Sequence, residues 1–404
     1  MLSCFLKKNI FQKEILYFIA RFCSEDQLGG YKHLFISLRS FIWYKKIKQG
    51  NIESKNSAGN SPNKNLVNEF YTIIDPENNN KVALLQHGLL DDSYTFFALK
   101  KDFALAYMIA DQGYDVWVSN VRGNIFSKDH VNESYKAEDP LSEFWNFSFE
   151  QMAEIDLPTI INYVKEKTGV EKVDYIGHSQ GTTIFFVKYM IDPEYIEQNV
   201  NKFIALGTVP NVSHAESILI KLLEDSEIFY DFPIKSMLYF SDPIRKIISK
   251  ICKYTSKLCG GIVDLIVGTE PTKRIDYKKY VSGLLLYEPG GSSHKNLVHW
   301  LQCAKAKKMQ RYDYGAEENM KKYGTEYPPA FDLNKIKKWN VKSIICIGDS
   351  DPFSAIEDVE GFVSLIENKS IYEVLKLEKY NHLDYLWSED SKTLIYEKII
   401  KFLA

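Results

Sequence analysis

The sequence predicts an α/β fold: a mostly parallel sheet with helices on both faces and a helical insertion over one edge. Three observations predict it. Strand-like and helix-like segments alternate from Phe70 to Val209 and again from Val341 to Leu403. One stretch, KVDYIGHSQGTTIFF at 172–186, reads as strand, tight turn and helix in succession. Between 210 and 335 the alternation stops and only helical patterns remain. Alternating strands and helices imply parallel strands joined by crossover helices.

The segment 1–68 stands outside this rhythm. Lys7, Lys8 and Lys13 precede the apolar run Ile15 to Ala20, but Glu14 and Arg21 flank it and no small-residue cleavage site follows. An amphipathic helix or an arm is the expectation there rather than a leader. Residues 51–68, rich in Asn, Ser and Lys, read as a linker or exposed loop.

From Phe70 the elements follow in order. Lys81 to Gln86 is an apolar strand ending in His87-Gly88-Leu89-Leu90, and a helix is expected from Asp102 to Gln112, stopped by Gly113. Tyr114 to Ser119 is the next strand. Ser148 with Gln151 forms a capping box for a long helix that ends at Gly169, and Pro158 should kink it. Val173 to Ile176 and Lys202 to Leu206 are strands. The insertion carries helical runs such as Ala215 to Leu223 and Pro243 to Ile251. Strand Val341 to Ile347, helix Asp358 to Glu367, strand Ile371 to Leu377 and helix Ser391 to Leu403 complete the chain. The expected division is an arm and linker (1–68), a first core part (69–209), a cap or lid (210–335) and a second core part (336–404). A cap placed there covers the carboxyl edge of the sheet, where such folds bind ligands.

The turn at 177–181, Gly-His-Ser-Gln-Gly, has the Gly-x-Ser-x-Gly pattern of the nucleophile elbow of α/β-hydrolases. The pentapeptide alone fits an ordinary turn with Ser179 as a helix cap; the strand before it and the helix after it supply the context an elbow requires. A serine hydroxyl needs a base, and the base needs an acid to orient it. In this fold the chain order is serine, acid, histidine. Of eight histidines, only His214, His294, His299 and His382 follow Ser179, and the first three fall in the insertion. His382, past the last strand, is the expected base. Asp349 and Asp351 both follow the 341–347 strand, and either suits the acid. The oxyanion of acyl transfer needs two backbone donors. These are expected at Gln180, after the nucleophile, and at Leu89, in the loop after the 81–86 strand.

Bulk properties exclude other classes. A net charge of −3 gives no electrostatic case for nucleic acid, and no apolar run approaches a membrane span. The six cysteines (Cys4, Cys23, Cys252, Cys259, Cys303 and Cys346) include no Cys-x-x-Cys, and His-Glu-x-x-His is missing, so no metal or cofactor is expected. Cys346 reads as a buried thiol in a strand. Cys252 and Cys259 are close enough in sequence to pair in an oxidising compartment, though spacing does not decide it. Asn132, Asn146, Asn211 and Asn368 head glycosylation triplets, which matter only on a secretory route.

Several blocks together carry a resemblance. LLQHGLL at 84–90, GYDVWVSNVRGN at 113–124, EFWNFSFEQMAEIDLP at 143–158, GHSQG, PGGSSHKNLVHWLQ at 289–302, GDSDPFSAIEDV at 348–359 and YNHLDYLW at 380–387 resemble blocks of the acid lipase family. The resemblance covers about residues 70–404 and implies an α/β-hydrolase core with a mobile lid. It implies Ser179 as nucleophile, His382 as base and Asp351 as acid, with Asp358-Val359 setting the register, and oxyanion donors at Leu89 and Gln180. Ala355 stands where the family commonly has an acidic residue, and the Gly-Tyr-Pro and Asp-Gly-Tyr blocks that open the family are not found. A secreted, lysosomal or vesicular location is implied by the resemblance alone. The implied activity is hydrolysis of lipid esters, glycerides or sterol esters, at a lipid–water interface. A short-chain carboxylesterase or thioesterase and a catalytically silent hydrolase-fold binding protein are the alternatives. Oligomeric state has no sequence signal.

Overall fold

A computed structural model of the chain describes residues 43–48, 66–67, 69–74 and 81–404, save 131, 133, 224, 269–273 and 368–369. The expectations for Cys4, Cys23, the 15–20 run, Asn368 and most of the 51–68 linker lie outside the described residues.

Among the described residues, eight strands form one sheet: β1 (Trp43–Lys48), β2 (Glu69–Ile74), β3 (Val82–Gln86), β4 (Asp115–Ser119), β5 (Val173–His178), β6 (Val200–Leu206), β7 (Lys342–Gly348) and β8 (Ile371–Leu377). Their spatial order is β1-β2-β4-β3-β5-β6-β7-β8. The six from β4 to β8 run parallel, while β1 and β2 pair antiparallel at the β4 edge. Strand β1 falls inside the segment expected to be an arm. Its sequence, WYKKIK, has three lysines in six residues, which masks any apolar alternation. Lysine is what protects an edge strand from pairing with another chain.

Side-chain alternation along each strand divides the core between the two faces of the sheet. Leu84, Trp117, Tyr175, Phe203 and Ile345 point to one face. There they meet the helices Leu157–Thr168 and Gln180–Ile191. Leu85, Val118, Ile176, Ile204 and Cys346 point to the other. That face is covered by Leu105–Ala110 and Glu397–Leu403. Both faces are closed, so the strands read as apolar runs rather than as half-polar alternation.

The capping box at Ser148 and Gln151 is present, and Gly169 ends the helix at φ 77°. Pro158 is accommodated differently from a simple kink. The turn before it, Met152–Asp156, is π-helical, so the helix register changes just ahead of the ring and the proline falls in the first turn of Leu157–Thr168. The 391–403 helix likewise begins with a π turn, Lys392–Tyr396. The 102–112 helix shortens to Leu105–Ala110 behind a single 3₁₀ turn.

Between β6 and β7 lie helices including Asp242–Tyr254, Ser256–Val267, Tyr277–Tyr287 and His294–Ala306. Cys252 and Cys259 are disulfide-bonded and tie the first two together. Cys303 and Cys346 are buried free thiols. Among the described residues no helix is long and apolar enough to cross a membrane, and no group of His, Cys, Asp and Glu is suited to a metal.

Candidate active site

The site is built at the carboxyl ends of β3, β5, β7 and β8. Strand β5 ends at His178 and the helix Gln180–Ile191 starts at once, leaving Ser179 as the sole hinge with φ 54° and ψ −123°. A side chain at this φ is strained, and such strain persists only where the surroundings enforce it. The enforcement is a close approach. A Cβ on Gly181 would lie 2.4 Å from the Gln86 carbonyl oxygen, and one on Gly177 would lie 2.8 Å from the Gly181 carbonyl carbon. Both glycines of the pentapeptide are therefore required sterically.

Ser179, Asp351 and His382 come together from three strand ends and are all buried, at 8%, 6% and 7% exposure. His382 Nε2 is 2.6 Å from Ser179 Oγ. His382 Nδ1 is 2.8 Å from Asp351 Oδ2 and 2.9 Å from Oδ1. A carboxylate only accepts, so Nδ1 carries the proton and Nε2 offers its lone pair to the serine. Asp351 is itself held: its Oδ1 accepts from the amides of Phe353 and Ser354, each at 3.0 Å. The His382 carbonyl accepts from His178 Nε2 at 2.9 Å, which anchors the loop behind the imidazole.

Of the two aspartates that follow β7, it is Asp351 that contacts His382. Asp349 is exposed and accepts from the Lys379 amide at 2.6 Å, away from His382. The other histidines after Ser179 are engaged elsewhere. His214 pairs with Asp358 at 2.8 Å, His294 donates to the Phe229 carbonyl, and His299 lies between Ser148 Oγ and the Gln310 carbonyl. Burial pushes the His299 imidazole down to about 3.

Gln180 is the first residue of its helix, so its amide has no intrahelical acceptor. Its side chain is turned aside and held: Oε1 accepts from Asn296 Nδ2 and Trp300 Nε1, both at 2.8 Å. Leu89, half-buried, follows Gly88, and a Cβ on Gly88 would lie 2.9 Å from Ser179 Cβ. The loop carrying Leu89 therefore passes directly against the serine.

Sequence reasoning missed what orients that loop. His87 Nε2 accepts from the Val121 amide at 3.3 Å, so the ring's proton is on Nδ1, which donates to the Gly88 carbonyl at 2.8 Å. Burial lowers the His87 pKa and favours this neutral form. In a trans peptide the carbonyl and the next N–H point opposite ways. By holding the Gly88 carbonyl, His87 aims the Leu89 N–H. Asn124 Nδ2 contacts His87 Nε2 at 3.1 Å and also donates to Asn120 Oδ1 at 2.8 Å. The nearest sequence signal was the Asn120-to-Asn124 run at the end of β4, which showed a strand end but no partner.

Comparison with known proteins places the chain. A family model described as the alpha/beta hydrolase fold matches residues 82–231. The chain is 34% identical over 327 residues to human lysosomal acid lipase/cholesteryl ester hydrolase, covering 80% of this chain and 79% of that one. The chain belongs to the acid lipase family. It is also 31% identical to bovine gastric triacylglycerol lipase over 335 residues, covering 80% of each, and 32% identical to human lipase member K over 78% of this chain and 77% of that one. A crystal structure of a protein from Sulfolobus solfataricus superposes with a TM-score of 0.57 at 12% identity, over 89% of this chain and 93% of that one. At that identity it shows the fold alone. As an acid lipase family member, the chain is a carboxylic ester hydrolase.

Proposed function

We propose that the chain hydrolyses lipid esters, triacylglycerols or sterol esters or both, through an acyl-enzyme on Ser179. The observation that carries this is the 2.6 Å contact between His382 Nε2 and Ser179 Oγ, with Asp351 on the far side of the ring. Ser179 attacks the ester carbonyl while His382 takes its proton. Asp351 stabilises the resulting imidazolium. The Leu89 and Gln180 amides receive the oxyanion. His382 returns the proton to the leaving alcohol, and a water activated by His382 then clears the acyl group.

The lipid substrate is supported by the activities for which the relatives are named, cholesteryl ester hydrolase and triacylglycerol lipase. It is also supported by the insertion, residues 210–335, read as a cap with a mobile lid. Its helices Asp242–Tyr254 and Ser256–Val267 leave Ile244, Ile247, Ile251, Leu258, Ile262 and Ile266 exposed. The exposed lysines Lys246, Lys250, Lys253 and Lys257 share these helices. An apolar stripe with basic neighbours suits a helix lying in a lipid–water interface.

The test is hydrolysis of emulsified triolein, cholesteryl oleate and dissolved 4-nitrophenyl butyrate by wild type and Ser179→Ala. The expected result is turnover of a long-chain ester that rises when the substrate forms an emulsion, and none by the variant. Activity on the dissolved butyrate alone would make the chain a short-chain esterase, and equal rates for the two proteins would remove the serine mechanism.

A further inference from the structure

The loop Gly88–Asp92, which presents the Leu89 amide, is braced by Asp91. The Gly88 amide donates to Asp91 Oδ2 at 3.3 Å and the Asp92 amide to Oδ1 at 2.7 Å. A carboxylate has acceptor capacity left after two such bonds, but any further partner must bring a proton. The segment that meets the loop there belongs to the insertion. It is Glu288-Pro289-Gly290, directly after the helix Tyr277–Tyr287. Its fit is close: the Gly290 amide donates to the Leu90 carbonyl at 2.6 Å, and a Cβ on Gly290 would stand 2.8 Å from the Asp91 carbonyl oxygen. Glu288 is 7% exposed, and its Oε1 is buried with no hydrogen-bond donor among the described residues, beside the loop that carries Asp91. Its Oε2 also accepts from the Gly290 amide at 3.2 Å.

Two carboxyls in contact and out of water do not both ionise. Burial, and then the charges of Asp91 and Asp92, push the Glu288 carboxyl well above the ordinary carboxylate range. Asp91 goes the other way. Burial opposes its ionisation, but the His178 ring, whose Nδ1 stands 3.7 Å from Asp91 Oδ2, and then the Glu288 carboxyl outweigh burial and hold it at about 2. Asp92 is raised by burial and by Asp91, and its Oδ1 is occupied by the Tyr94 amide at 2.7 Å. The other charged or titratable groups facing this cluster are His87 and His178 from the sheet, Arg245 from the helix Asp242–Tyr254, and Tyr287.

We propose that Glu288 is a positioning residue for ester hydrolysis. Its un-ionised carboxyl donates to Asp91, and through Asp91 it holds the Gly88–Leu89 peptide where the Leu89 amide meets the oxyanion. Glu288 does not touch substrate. It couples the insertion to the donor loop, and it makes that coupling depend on one proton. As the pH rises and Glu288 ionises, the donor is lost and two anions face each other across the loop. Oxyanion contacts strengthen in the transition state, so the loss falls on kcat more than on KM.

The inference rests on the serine-hydrolase reading and its oxyanion donors, and the test separates the two. Steady-state kcat and KM for 4-nitrophenyl butyrate are measured from pH 4 to 9 on the full chain. Wild type, Glu288→Gln and Glu288→Leu are compared, each normalised to the sites titrated by a fluorophosphonate. Glutamine keeps an N–H donor that does not ionise. Glu288→Gln should stay within about threefold of wild-type kcat at acid pH and lack the wild-type fall on the alkaline side. Glu288→Leu should lose about tenfold or more in kcat at all pH values with KM little changed, a partial loss of one oxyanion donor. Coincident pH profiles for wild type and Glu288→Gln overturn the proposal, whether or not the leucine variant folds. If the wild type titrates at Ser179 and turns over while those profiles coincide, only the role of Glu288 falls. If the wild type does neither, the serine mechanism falls and this inference with it.

Discussion

Replacing Asp351 by asparagine changes one atom in the site, and the geometry dictates which one. Asp351 Oδ1 accepts two backbone amides, Phe353 and Ser354, at 3.0 Å each. Asparagine has one oxygen, and those two donors select it for the Oδ1 position. The NH₂ group then occupies the place of Oδ2, 2.8 Å from His382 Nδ1. A donor facing Nδ1 forces the imidazole to present a lone pair there, so the ring's proton moves to Nε2. That nitrogen then faces Ser179 Oγ across 2.6 Å with a hydrogen rather than a lone pair, and it has no capacity to accept the serine proton. A triad held in the wrong tautomer loses about 10⁴ in kcat, or about 5 kcal/mol of transition-state stabilisation. Folding should be unaffected, because the amide is isosteric and both backbone donors keep their acceptor. The assay is kcat for 4-nitrophenyl butyrate alongside a thermal unfolding curve. A variant that unfolds with the wild type yet retains kcat within tenfold of it would refute the reasoning.

Three further outcomes follow from packing and burial. Gly181→Ala sets a Cβ 2.4 Å from the Gln86 carbonyl oxygen, a backbone atom with no room to retreat; it should cost about 3 kcal/mol of stability, the upper part of the overpacking range, read by urea unfolding. Arg122 and Asp156 form a fully buried ion pair with side chains 0% and 2% exposed. Arg122→Met should therefore destabilise by about 3–5 kcal/mol, and adding Asp156→Leu should recover part of it, because the lone buried charge is the main cost. Burial pushes the His299 imidazole down to about 3 in the fold, against about 6.5 in the unfolded chain. A group lowered by folding contributes stability in full above the unfolded value and loses it as the pH drops toward the folded value. The midpoint of wild type should thus fall between pH 6.5 and 4, at up to about 1.4 kcal/mol per pH unit from this group, and His299→Gln should flatten that fall.

How much of this was readable before the structure depends on whether the relevant partners were local. Ser179 follows β5 directly, and Asp351 and His382 lie in the loops that follow β7 and β8. Chain order and strand ends point to all three, because a parallel sheet delivers every strand's carboxyl end to the same rim. The choice between Asp349 and Asp351 was not readable from residues, since both follow β7; side-chain direction separates them. Strand β1 went unread because WYKKIK is lysine-rich, and the residues that protect an edge are those that erase its period. At Pro158 the sequence points to a kink, but it does not say that a π turn precedes the ring and leaves the proline in the first turn of Leu157–Thr168. The brace on the donor loop was invisible for a different reason. His87 meets Asn124 across strand ends, Asp91 holds the Gly88 amide, and the segment after Glu288 reaches the same loop from the insertion; none carries a local pattern that names its partner.

The central claim is that the hydroxyl of Ser179 is the nucleophile. It is tested most directly by reacting the folded chain with a fluorophosphonate and locating the adduct by peptide mass spectrometry. One equivalent of phosphonate on Ser179, blocked in Ser179→Ala and slowed in His382→Ala, is the predicted result. An adduct on another residue, or a folded and ester-hydrolysing protein that takes none, would contradict it.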